Sequence, residues 1–170
     1  WFTSIFPVLL DLGDVDLDDA FAGGGSAGRA IKAVKEQLLR IPDRGMGYGM
    51  LRYLDGSLRG QSVGQISFNY LGRLSAGDLP EGAEGIGWLP ADDITSTADV
   101  PLDADMPAIA VLDINASVVG RGKAGGRSGS HDEFAATFAF PRGILSSDEV
   151  TELGGYWVDA LTALVRHVES

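Results

Sequence analysis

Gln65-Ile66-Ser67-Phe68-Asn69-Tyr70-Leu71-Gly72 is the stretch from which the rest of the chain is best read. Over residues 65–70 the polar members Gln65, Ser67 and Asn69 alternate with the apolar members Ile66, Phe68 and Tyr70. A period of two puts each set on its own side of an extended backbone, so the stretch predicts a half-buried strand with one polar face. Asn69 is the unusual member, a carboxamide in mid-strand between two aromatic residues.

Upstream, Gly23-Gly24-Gly25-Ser26 is a flexible break, after which Ala27, Ala30, Ile31, Val34, Leu38 and Ile41 recur at three- and four-residue steps. That spacing predicts an amphipathic helix closed by Pro42, whose ring disfavours helical geometry in Ile41 before it. Gly45, Gly47 and Gly49 then lead into a second, shorter helix expected over 48–54. Residues 2–10 are mostly apolar and read as a buried strand followed by an aspartate-rich loop over 11–19. Downstream, 75–107 carries Pro80, Pro90, Pro101 and Pro107 among carboxylates and reads as a long acidic surface connection. Leu112, Ile114, Ala116 and Val118 alternate with polar residues, and Phe134, Ala136, Phe138 and Phe140 alternate again. Two such strands joined by a loop at 120–130 suggest an antiparallel hairpin. That loop sets three basic residues among five glycines, too little apolar surface to order itself. Ser146 and Glu149 form a capping-box pattern, and Val150, Leu153, Trp157, Leu161, Leu164, Val165 and Val168 predict a long final helix. The order of elements gives an α/β fold, with a mixed, largely antiparallel sheet covered by helices in a single subdomain spanning 1–170.

A chain of 170 residues with 45% hydrophobic composition can bury one sizeable core. Its formal net charge of −11 and pI near 4.4 oppose binding to phosphate backbones, so no nucleic-acid partner is expected. Between Arg73 and Arg121 stand nine Asp or Glu residues and no Lys or Arg. A solvated surface is the plain reading of that run, and a docking face for a basic partner the alternative. With no cysteine, disulfide and thiolate chemistry are removed, which fits a reducing compartment and makes the cytoplasm the expected location. No apolar run approaches the roughly 20 residues of a membrane span, and no secretory signal is evident, so no membrane partner is expected. Trp1 opens inside a motif, so the chain is expected to be a piece of a longer polypeptide.

Among residues able to carry chemistry, Asn69 comes first: it can face water or direct hydrogen bonds into a cleft. Tyr70 shares a side with Ile66 and Phe68, so its ring belongs to the core and only its hydroxyl can reach a site. The glycines around Tyr48 follow a helix rather than a strand and lack the dinucleotide fingerprint, which leaves a tight turn as their reading. His131, next to the glycine-rich loop, and His167, near the end of the last helix, are the two imidazoles, each read as structural or solvated. They form no zinc constellation, and no Gly-x-Ser-x-Gly nucleophile is present.

Three phrases, in this order, carry a resemblance: Trp1-Phe2-Thr3-Ser4-Ile5-Phe6-Pro7, Pro42-Asp43-Arg44-Gly45-Met46-Gly47-Tyr48-Gly49 and Phe68-Asn69-Tyr70-Leu71-Gly72. Together the chain resembles the closing part of epimerization domains of nonribosomal peptide synthetases, relatives of the condensation domains. The resemblance implies the C-terminal half of a chloramphenicol-acetyltransferase-like fold, in which two halves form a V around the active site. It implies that Asn69 and Tyr70 stand at the catalytic centre, and that Trp1, Phe2, Thr3 and Tyr48 line the channel for a substrate tethered to the 4'-phosphopantetheine arm of a carrier domain. It implies two partners, the N-terminal half of the same domain and a peptidyl carrier domain. The family's His-His-x-x-x-Asp-Gly motif, and a Glu that precedes the first phrase, are not in this sequence, so little activity is expected from these residues alone. A condensation domain and a non-catalytic carrier-docking module are the alternatives.

Overall fold

The computed structural model describes residues 4–61, 64–74, 107–108, 110–120 and 132–170. The chain divides into two compact units, Trp1–Gly64 with Ser147–Ser170, and Gln65–Ser146.

The first unit is helical. α1 (Leu17–Phe21) starts at Asp16, whose side chain accepts from the Asp19 N–H at 3.2 Å and so satisfies one orphan donor of the first turn. α2 (Gly25–Leu39) has its own first turn served from α1: the Ser26 N–H donates to Asp19 Oδ2 at 2.8 Å. The Ser26 hydroxyl, then its backbone N–H, hold the Asp19 carboxyl below the ordinary carboxylate range against some desolvation, with Arg29 and His167 adding to the effect. α4 (Ser147–Glu169) packs on both. The seam is made of small residues, Ser26, Ala27 and Ala163, exposed by only 0, 1 and 3%. Gly28 leaves the space that the His167 imidazole fills, since a Cβ there would run into Nε2. Along α4 burial falls on Val150 and Ala163, with Trp157, Leu161 and Leu164 half-buried, while Val165 and Val168 of the expected stripe lie largely in solvent. Close approach at small residues, rather than the widest apolar stripe, sets which face is used.

After α2, Pro42–Gly45 makes one tight turn, followed by α3 (Met46–Gly49) and a π-helical turn, Met50–Asp55. The short helix expected at 48–54 is therefore present, begins earlier and widens to π geometry, a feature that recurs at functional sites. Residues 4–16 hold no strand, contrary to the reading of 2–10, and Ile5 and Leu9 are 78 and 90% exposed. Pro7 cannot donate to a ladder, and side chains anchor the segment instead: Phe6 rests on Gly45, and Gln37 accepts from the Asp11 N–H at 2.9 Å and donates to the Asp11 carbonyl at 2.7 Å.

The second unit is a sheet in the order β1 (Ile66–Leu74), β2 (Leu112–Gly120), β3 (Asp132–Ala139). β2 and β3 pair antiparallel, as the alternation predicts, while β1 runs parallel to β2. Parallel neighbours require a crossover, and the chain between Leu74 and Leu112 supplies it. Almost all of the acidic connection at 75–107 lies outside the described residues, as does the loop after β2. The central strand takes the burial: Leu112, Ile114 and Ala116 are 3, 4 and 1% exposed, against 61, 58 and 52% for Ile66, Phe68 and Tyr70 on the edge. Register slips between Tyr70 and Arg73, where β1 has one residue more than β2. Gly72 sits in that bulge at φ +80°, a left-handed conformation that costs a residue with a Cβ about 1–2 kcal/mol. The chain is thus α/β, with helices and a three-stranded mixed sheet among the described residues.

Candidate functional site

Asn69 lies on the face of β1 shared with Ser67, opposite Asn115 of β2. Its Nδ2 donates to Asn115 Oδ1 at 3.1 Å, and Asn115 Nδ2 in turn donates to Asp113 Oδ2 at 3.0 Å. Strand geometry makes this possible: Asp113 and Asn115 are two residues apart and so share a face, and parallel pairing sets Asn69 beside Asn115. Other register positions near them are short, with Ser67 beside Asp113, Thr137 beside Asn115 and Ala135 beside Ser117. Asn69 is exposed at the end of this row, while Asn115 and Asp113 are half-buried. Tyr70 alternates to the opposite face with Ile66 and Phe68 and is 52% exposed on the edge strand, so its ring is not in the core as expected, and the sheet separates it from Asn69.

In the helical unit the first and second sequence phrases meet. Ser4 Oγ donates to the Arg44 carbonyl at 3.4 Å, and the Phe6 ring occupies the place where a Cβ on Gly45 would stand. Asp43, Arg44 and Gly45 have φ of +48, +53 and +82°, three left-handed residues in succession. For residues with a Cβ this is stored strain of about 1–2 kcal/mol each, a cost that clusters where a turn must aim a neighbouring element. The element aimed here bears Tyr48, which is half-buried. Arg52, one helical turn on, donates from Nη1 to the Tyr48 hydroxyl and to the Gln61 carbonyl, both at 3.0 Å. Its guanidinium also lies 5.9 Å from the ring centroids of Tyr48 and Tyr53. Arg52 therefore fixes the Tyr48 phenol, a role that the Tyr-x-x-x-Arg spacing could have signalled.

Trp1, Phe2, Thr3 and His131 lie outside the described residues. His167 is packed against Gly28, in keeping with the structural reading. No group of His, Cys, Asp and Glu among the described residues could hold a metal, and no described helix is long and apolar enough to cross a membrane. The second carboxamide and the carboxylate, Asn115 and Asp113, were not singled out by sequence reasoning, because nothing local marks them as partners of Asn69.

No family model matches the chain, and no solved structure does. Curated proteins do. It is 30% identical over 98% of its length to a linear gramicidin synthase polypeptide of Brevibacillus parabrevis. It is 33% identical over 98% of its length to bacitracin synthase 3 of Bacillus licheniformis. Over 45% of its length it is 44% identical to a surfactin synthase polypeptide of Bacillus subtilis. The chain spans only 3, 2 and 2% of these three relatives. It is thus related along nearly its whole length to nonribosomal peptide synthetases, as expected of the C-terminal part of a domain in the condensation and epimerization superfamily.

Proposed function

We propose that the chain is the C-terminal half of an epimerization domain, which inverts the α-carbon of an aminoacyl or peptidyl thioester presented on the 4'-phosphopantetheine arm of a carrier domain. The observation that carries this reading is the placement of Phe68-Asn69-Tyr70-Leu71-Gly72: β1 holds the Asn69 amide on an open polar face, and the Gly72 bulge ends that run. Inversion removes the α-proton from one face and returns one to the other, and the enolate oxygen formed between the steps needs a hydrogen-bond donor. Asn69 supplies an N–H for that oxygen, and by the family resemblance Tyr48 and residues 1–3 line the approach. The proton-moving groups come from a half carrying the His-His-x-x-x-Asp-Gly motif, in a chloramphenicol-acetyltransferase-like arrangement. Like its relatives, this half works inside a multidomain synthetase.

The test loads a carrier domain with an L-aminoacyl thioester in deuterated buffer and follows α-deuterium incorporation. Incorporation is expected when the chain is joined to a half bearing the His-His motif and not with the 170 residues alone. Rapid exchange by the chain alone would overturn the division of labour. Peptide-bond formation with an added acceptor amine, and no exchange, would assign the parent to condensation. Salt-sensitive carrier binding with neither reaction would leave a docking module.

A further inference from the structure

From the row Asn69, Asn115, Asp113 we infer that Asp113, acting through Asn115, sets which way round the Asn69 carboxamide is held. A carboxamide has a donor end and an acceptor end of nearly the same shape, so an isolated Asn on a strand can bind a ligand either way round. A carboxylate only accepts. Because Asp113 Oδ2 takes a hydrogen bond from Asn115 at 3.0 Å, the Nδ2 end of Asn115 must face Asp113 and its Oδ1 end must face Asn69. Asn69 must then turn Nδ2 toward Asn115, as the 3.1 Å bond shows. One fixed charge thus orients two amides in sequence across two strands. The Asn69 side chain is left with one N–H and its carbonyl oxygen in set places, a donor and an acceptor side by side for a ligand that offers the reverse pair. Polarisation along the row strengthens each link, since the charge-assisted bond to Asp113 makes Asn115 Oδ1 the better acceptor. Asp113 and Asn115 are positioning residues for Asn69, and only the chemical use of that amide rests on the epimerization reading.

The experiment is side-chain amide NMR on the intact chain, which needs no turnover and so stands apart from the fate of the functional proposal. In the wild type, the two Nδ2 protons of Asn69 are expected at shifts more widely separated than those of a free carboxamide, with the bonded one slow to exchange with solvent. Asp113→Asn keeps the size and removes the charge, and Asn115→Ala removes the link. Both are expected to narrow that separation to the free-carboxamide value and to speed exchange of the Asn69 carboxamide, with the β2–β3 backbone NOEs retained. An Asn69 carboxamide that exchanges as freely as a solvent-exposed one in the wild type would overturn the inference without any variant. So would an Asn69 signature unchanged in either variant that keeps the sheet. In the joined domain, Asp113→Asn should lower kcat for α-proton exchange about tenfold with KM little changed, because it misdirects an amide that remains present.

Discussion

Replacing Gly45 by alanine tests whether the first and second sequence phrases are held together by packing. Two costs add at this position. The backbone sits at φ +82°, where a Cβ costs about 1–2 kcal/mol. The new methyl would also occupy the space of the Phe6 ring, which must leave. Phe6 is half-buried, and since burying a whole phenylalanine side chain contributes about 1.5–3 kcal/mol, expelling this one forfeits about 1 kcal/mol. The sum is about 2–3 kcal/mol, large for a surface turn. Urea unfolding followed by far-UV circular dichroism measures it, with an unchanged slope showing that the same surface unfolds. The decisive comparison is the Phe6→Ala background, in which the ring is already gone and Gly45→Ala should lose only the backbone part. A coupling of about 1 kcal/mol between the two sites is expected. If the two changes simply add, to within about 0.5 kcal/mol, Phe6 does not rest on Gly45 and the reasoning fails.

Gly72→Ala meets open space, so it should cost only the left-handed backbone penalty of about 1–2 kcal/mol; a neutral result in thermal unfolding would mean that the β1 bulge is absent. Asp19 has a depressed carboxyl pKa, so its stabilisation is complete above the ordinary aspartate value of 3.8 and is lost as pH falls from there through the lower folded value. Asp19→Asn should therefore flatten the acid side of the stability curve in that window and leave its shape above about pH 5 unchanged, and an acid limb as steep as wild type would refute the assignment. Arg52→Ala removes the nitrogen that donates to Tyr48 and Gln61 together and the cation beside the Tyr48 and Tyr53 rings, so it should release the Tyr48 ring, read as faster ring flips or altered near-UV signal; an unchanged Tyr48 ring would contradict this.

Strand β1 was legible because a period of two is a local signal, and the same holds for β2, β3 and the periodic stretches of α2 and α4. Pairing was not. Asn69 meets Asn115 only because β1 is parallel to β2, and that register depends on a crossover whose composition says nothing about where it returns. The reading of 2–10 as a strand followed apolar content and overlooked that Pro7 has no N–H to give a ladder. Asp43 and Arg44 carry no glycine signal, so their left-handed turn could not be read from residue type. On α4, Val150 and Ala163 are buried and Trp157, Leu161 and Leu164 half-buried as part of the expected stripe, whereas Val165 and Val168 lie largely in solvent, because close approach to α1 and α2 is made at the small residue Ala163. Asn69 was found as a residue, whereas the Asn115 and Asp113 that hold it are a property of the sheet.

In the proposed function, Asn69 and its strand form the amide-bearing wall of an epimerizing cleft. The most direct measurement of this is the chirality of the amino acid hydrolysed from a carrier domain after incubation with the chain joined to a His-His-bearing half. An L-residue is expected to become a mixture of D and L, and Asn69→Ala to slow the approach to that mixture while leaving carrier binding intact. Product that stays wholly L, or conversion undiminished by Asn69→Ala, would contradict it.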